Sequence, residues 1–186
     1  MPYSERMSSR PNPYFIGVAL PRVLSDKLFS LKWDLHKRTP GSLKPLVPHI
    51  TLLHPSSLRN CHKEEMIVKI RILAEQYLPF TISLEIIDRF QDEVLYISVR
   101  SPELTLLQAE LVKLLPCTDQ QVYAQRTFIP HVTLLQTKLS ENMDIESLDR
   151  RIDQIALLPV QFTVNSLSCF SQQQPREYSN APLTFQ

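Results

Sequence analysis

Residues 48–53 read PHITLL and residues 130–135 read PHVTLL, one hexamer repeated with a single Ile-to-Val change. The chain has 186 residues and five histidines, and two of these, His49 and His131, fall in the same frame nearly half a chain apart. Apart from the His and the Thr, each hexamer is apolar, and Ile, Val and Thr fit a pleated strand. On a strand, residues i and i+2 share a face. His49 and Thr51 therefore point one way, as do His131 and Thr133, while Ile50/Leu52 and Val132/Leu134 point to the other face and supply core. Pro48 and Pro130 suit the start of a strand, where no ladder donor is needed. Each copy offers an imidazole and a hydroxyl about 7 Å apart by strand rise, and two copies brought together make a symmetric site.

The rest of the chain sets bounds on that site. A hydrophobic share of 43% and a charged share of 21% are ordinary for a globular domain with a sizeable core. A formal net charge of +1 excludes a strongly electrostatic grip on long nucleic acid and leaves room for a short or small phosphorylated ligand. Two glycines are too few for a glycine-rich phosphate loop. The three cysteines, Cys61, Cys117 and Cys169, are odd in number and widely spread, which fits neither a disulfide framework nor a zinc spacing and points to a reducing compartment. No apolar run reaches membrane-spanning length and the N-terminus lacks a signal-peptide core, so the expectation is a soluble cytoplasmic protein.

Read in order, residues 1–12 form a loose polar arm, and residues 13–186 a single bilobal domain with tandem halves at about 13–91 and 92–186. Tyr14 to Leu20 is a buried strand. Pro21 opens a helix with Leu24, Leu28, Leu31 and Leu35 inward, stopped by Thr39-Pro40-Gly41. The first His-Thr strand follows, then a helix from about Lys63 to Tyr77, a strand from Phe80 to Phe90, a turn at Gln91-Asp92 and a strand from Val94 to Val99. Ser101 is the cap of a third helix, with Pro102 at its first position and Leu104, Leu107, Leu111 and Leu114 inward. After the second His-Thr strand, Asp144 caps a fourth helix. Val160 to Phe170 reads as one strand, Gln172 to Pro175 as a turn, and Glu177 to Phe185 as the last strand. Each half thus reads strand, helix, His-Thr strand, helix, strand.

A lone histidine on an apolar strand is usually structural. Here the polar pair is repeated along with the apolar positions, which a purely structural duplication does not require. Histidine titrates near neutrality, so one copy can take a proton while the other gives one. A threonine hydroxyl can donate to an anionic oxygen that gains charge in the transition state. Two imidazoles and two hydroxyls suit in-line displacement at a phosphodiester, and a strained 2′,3′-cyclic phosphate has its attacking and leaving oxygens on opposite sides of phosphorus.

These motifs, their preceding prolines, trailing leucines and separation resemble the two-histidine (2H) phosphoesterase superfamily, and within it the 2′-5′ RNA ligase/RNA 2′,3′-cyclic phosphodiesterase group. The resemblance runs from about Tyr14 to Phe185. It implies an α+β bilobal fold, with two pseudo-two-fold-related antiparallel sheets flanked by helices around a central cleft. It implies hydrolysis of cyclic phosphodiesters with no cofactor and no metal, with His49, Thr51, His131 and Thr133 as the site. Its implied substrate is RNA with a 2′,3′-cyclic phosphate or 2′-5′ linkage, or a small cyclic nucleotide, with reverse ligation as a further activity; the expected state is a monomer off the membrane. Arg126 to His131 is similar to the RxFxPH approach of that group. The chain departs from many members in having Gln136 before Lys138 after the second motif, and Leu53-His54-Pro55 after the first.

Arg126 is a candidate phosphate ligand or a solvated approach to the strand, and Phe15, beside Tyr14, is a candidate platform for a base or a core ring. Lys44, Arg59, Arg89 and Lys138 read as surface charges. His54, Cys61 and His62 match metal ligands by type but not by spacing. His36 falls in the last turn of the first helix, where the dipole favours it. The rival to an enzyme is a binding module of the same fold that holds a nucleotide or RNA terminus without turnover; a plain scaffold leaves the repeated His and Thr unexplained.

Overall fold

A computed structural model describes residues 14–58, 61–91, 93–115, 127–137, 158–171 and 178–182, with the backbone alone for Ser171 and 178–182. The elements run β1 (Tyr14–Ala19), α1 (Arg22–Arg38), β2 (His49–Leu53), α2 (Lys63–Ala74), β3 (Phe80–Phe90), β4 (Val94–Arg100), α3 (Pro102–Leu114), β5 (His131–Gln136), β6 (Val160–Val164), β7 (Ser166–Ser171) and β8 (Tyr178–Pro182), with a 3₁₀ turn at Pro55–Leu58. The expected arm at 1–12, the fourth helix from Asp144, the turn at Gln172 to Pro175, and Arg126 and Lys138 lie outside the described residues.

The local signals act as chemistry requires. Ser101 caps α3 by accepting a hydrogen bond from the Leu104 N–H at 3.3 Å, and Pro102 occupies the first turn, where an N–H has no intrahelical partner. Leu28, Leu31 and Leu35 of α1, Met66, Ile70 and Leu73 of α2, and Leu104, Leu107 and Leu111 of α3 are buried, each set at helical spacing. After α1, Gly41 takes a φ of 80°, and the Ser42 hydroxyl donates to the Thr39 carbonyl at 2.7 Å. His36 is held there by Ser42, with Nδ1 and Oγ 2.8 Å apart.

All pairings are antiparallel, and the strand order is β6-β3-β4-β5-β2-β1-β7-β8. The two expected sheets are thus the four-strand halves of one curled sheet, joined by the single pair Ile50↔Val132 between β2 and β5. The two tandem stretches interleave in it: β1 and β2 sit with β7 and β8, whereas β3 and β4 sit with β5 and β6. The units β1-α1-β2 and β4-α3-β5 are equivalent about the seam. Each helix crosses it, α1 packing against β5 and α3 against β2.

The strand expected over Val160 to Phe170 is corrected. It is two strands, β6 on β3 and β7 on β1, broken at Asn165. One residue spans only ~3.3 Å, so the two halves must curl until β3 and β1 come within reach of one continuous segment. The cysteine reading is corrected as well: Cys61 is disulfide-bonded, and Cys169 is free and buried. No described helix is long and apolar enough to cross a membrane.

Candidate active site

The seam between β2 and β5 brings the two hexamers together. Ile50 and Val132, both buried, are paired on the strand positions between each His and its Thr. Antiparallel register carried one residue each way sets His49 against Thr133 and Thr51 against His131. The apolar alternates Ile50, Leu52, Val132 and Leu134 are all buried, while the two His and two Thr are half-buried.

Both imidazoles are oriented in the same way. His49 Nδ1 lies 2.6 Å from the Val47 carbonyl oxygen, and His131 Nδ1 lies 2.8 Å from that of Ile129. A carbonyl only accepts, so Nδ1 of each ring carries the proton and donates it. In the neutral form Nε2 of each is then left as an acceptor. The residue two before each His supplies this carbonyl, and Pro48 and Pro130, which follow those residues, hold them in extended backbone.

Aromatic rings seat the imidazoles, and here the two halves differ. The His49 ring lies 4.5 Å from Phe15 and 5.1 Å from Phe170, which stack on each other at 4.9 Å. Both phenylalanines are buried. The His131 ring lies 4.9 Å from Phe90 and 5.2 Å from Tyr96, and the Tyr96 hydroxyl donates to Asp88 at 3.0 Å. The two rings beside His49 are both apolar, whereas one of the two beside His131 carries a hydroxyl. Burial, then the nearby Lys32 ammonium, holds the His49 imidazole down to about 3, against a smaller upward pull from the Val47 carbonyl. Burial also lowers His131, opposed by the Ile129 carbonyl.

Gly17 of β1 lies opposite Thr51 next to a register irregularity, and a Cβ added there would collide with the Ile50 carbonyl oxygen. The matching position opposite Thr133 is Tyr96, also next to an irregularity. Glycine is thus required for β1 to close on the strand that carries the first motif.

Of the residues singled out from sequence, His49, Thr51, His131 and Thr133 meet at the seam. Phe15 is 3% exposed, and its ring packs on His49 and Phe170 instead of standing open in the cleft. Lys44 lies 6.0 Å from the Trp33 ring centroid. Among the described residues His54, Cys61 and His62 belong to no group of three or more His, Cys, Asp or Glu side chains fit to hold a metal ion. Sequence reading missed Phe90, Tyr96 and Phe170, which only strand register places beside the histidines. It also missed Lys32, which follows Leu28 by four residues and so falls on the inward face of α1.

Comparison with known proteins gives the family and the fold. Residues 25–176 match the family model of the 2′-5′ RNA ligase superfamily, and the chain belongs to that family. A Bacillus cytotoxicus protein, whose name assigns it provisionally to the phosphoesterases, is 33% identical over 132 residues, covering 69% of this chain and 72% of its own. The crystal structure of TT0787 of Thermus thermophilus has a TM-score of 0.58 at 18% identity, covering 92% of this chain and 94% of that one. The structure of E. coli LigT complexed with 3′-AMP has a TM-score of 0.55 at 18% identity, covering 94% and 96%. The mixed fold with its curled antiparallel sheet is therefore that of LigT-like 2H phosphoesterases, and the family supports a phosphoesterase-type activity.

Proposed function

We propose that the protein hydrolyses 2′,3′-cyclic phosphodiesters at RNA or nucleotide ends without a metal, using His49, Thr51, His131 and Thr133. The observation that carries this reading is the single pair Ile50↔Val132, which sets each His against the Thr of the other copy. A phosphate between them meets an imidazole Nε2 on each side and a hydroxyl on each side. The neutral imidazole takes a proton from water as its oxygen forms a bond to phosphorus. The charged one gives a proton to the ester oxygen whose bond to phosphorus breaks. The hydroxyls donate to the non-bridging oxygens. The apolar rings around His49 fit the base, and His131, beside Tyr96, whose hydroxyl donates to Asp88, fits the acid. Phe15 acts through His49, as the ring that seats it, and Arg126 is proposed to hold the phosphate from the approach to β5. The 3′-AMP held by LigT is of the chemical kind this site would take. 2′-5′ ligation is the same ring opening with an RNA 5′-hydroxyl in place of water: the base takes the hydroxyl proton as its oxygen bonds to phosphorus, and the acid protonates the departing 3′ oxygen.

One observation favours a second reading. Both imidazoles are held below their ordinary range, chiefly by burial, which works against the charged imidazole that a proton donor needs. A module that binds a nucleotide or RNA terminus without turnover needs none. In the enzyme, the phosphate anion itself raises the imidazole that must be charged. Incubation with a panel of 2′,3′-cyclic, 3′,5′-cyclic and 2′-5′-linked substrates in the presence of a chelator, followed by product analysis, decides. Ring opening of a 2′,3′-cyclic phosphate is the expected result. Saturable binding with no product would establish the module, and activity lost to the chelator and restored by zinc or manganese would defeat the metal-free route.

A further inference from the structure

Lys32 is the one polar residue among the buried positions of α1, flanked by Leu28, Leu31 and Leu35 and itself 5% exposed. Among the described residues it takes part in no ion pair and no hydrogen bond. A buried ammonium with no counter-charge among the described residues is costly there, and such groups gather at sites where an anion or a reaction gives them a use. The helix that carries it packs against β5, the strand of His131 and Thr133. Its charge reaches His49 across the seam and bears on that ring more than His131 does. Burial brings the ammonium down to about 8, which leaves it mostly charged at neutral pH. The other titratable groups on the elements packed around β2 are Tyr14 of β1, His131 of β5, and Glu103, Glu110 and Lys113 of α3; of these only His131 acts on His49.

We propose that Lys32 is a positioning residue of this site, its buried ammonium supplying fixed positive charge that favours an anionic phosphate between the two HxT pairs and keeps a proton off His49. It touches none of the reacting atoms. The near-neutral chain needs such a charge because its net of +1 gives little general attraction for an anion. A buried charge is also screened far less by salt than a surface one. The substrate half of this proposal rests on the phosphoesterase reading; the electrostatic half stands without it.

The test is inorganic phosphate titrated into the full chain, followed by the imidazole NMR signals of His49 and His131, in the wild type, Lys32→Met and Lys32→Arg. Phosphate should bind the wild type saturably at pH 7. Lys32→Met should weaken it about tenfold or more, and Lys32→Arg should restore most of the loss. The His49 signal should stay neutral in the wild type as pH falls towards 5, and its protonation should move to higher pH in Lys32→Met, carrying the acid limb of kcat/KM with it. A folded Lys32→Met that binds phosphate as tightly as the wild type, with an unmoved His49 titration, would overturn the proposal, as would a wild type that binds none. If Lys32→Met does not fold, Lys32→Gln is read in the same way. Absence of hydrolysis in a wild type that passes the phosphate and titration tests would defeat the proposed function alone.

Discussion

Ile50 of β2 pairs with Val132 of β5, the single registered pair that joins the two halves of the sheet. Both are fully buried, so the seam is fixed by apolar packing while the neighbouring positions face the cleft. A slip of one residue would turn every His and Thr of one copy to the wrong face. The polar pairs are therefore placed by the very residues that make the core.

If each copy supplies one proton transfer, neither can cover for the other. His49→Ala and His131→Ala should each lower kcat/KM for a 2′,3′-cyclic phosphate by about 10²–10⁴-fold, and the double variant should be little worse than the worse single one. Thr51→Ala and Thr133→Ala should cost less, roughly 10–10³-fold, since each removes one donor to the phosphate. Steady-state rates on purified variants check this. Full activity in either histidine variant would end the two-histidine mechanism.

Acid should unfold the protein partly through His49. Its folded-state value of about 3 lies below the ordinary value of 6.5, so between these the unfolded state binds a proton the folded state does not. Stability from this group is fully present above about pH 6.5 and falls as pH drops towards 3, at up to ~1.4 kcal/mol per pH unit. His131, also lowered, adds in the same direction. Urea unfolding from pH 7 to 4.5 should show a shallower pH slope in His49→Gln than in the wild type. Equal slopes would mean that His49 takes up its proton alike in the folded and unfolded states, and that burial does not depress it.

The two hexamers were legible because a repeated polar pair inside a repeated apolar frame has no packing explanation. The helices were legible from leucine spacing, and the start of α3 from Ser101-Pro102. The break at Asn165 was not, because Val160 to Phe170 is apolar and β-prone on both sides of it; only the curl of the sheet decides that β6 pairs with β3 and β7 with β1. Nor was the difference between the two histidines. The motifs are nearly identical, and their inequality comes from Phe15, Phe170 and the Lys32 charge on one side and Phe90 and Tyr96 on the other, which the fold brings in from distant sequence. Lys32 was hidden because one lysine among leucines reads as the edge of an amphipathic face.

Arg126 precedes β5 and lies outside the described residues. If it holds the substrate phosphate, Arg126→Ala should weaken binding of a short RNA ending in a 2′,3′-cyclic phosphate and flatten its salt dependence. Binding isotherms at several salt concentrations measure both. An unchanged affinity and slope would leave Arg126 a surface charge.

Gly17 and Gly41 separate the packing of the site from simple backbone cost. At Gly41 φ is 80° and a Cβ would meet nothing within 4 Å, so Gly41→Ala should cost only the left-handed backbone term, roughly 1–2 kcal/mol, and leave the rate alone. At Gly17 the added Cβ runs into the Ile50 carbonyl oxygen, a backbone atom that cannot rotate away. Relief requires β1 and β2 to part, and Ile50 is the residue that fixes the seam to Val132. Gly17→Ala should therefore cost about 1–3 kcal/mol of stability, as overpacking does. It should also lower kcat/KM by tenfold or more, because a shift of about 1 Å in a catalytic group is enough to cost up to ~10²-fold. Denaturant unfolding and hydrolysis rates on both variants test the pair. A Gly17→Ala protein as active as Gly41→Ala would show that the approach of β1 to β2 does not set the geometry of His49 and Thr51.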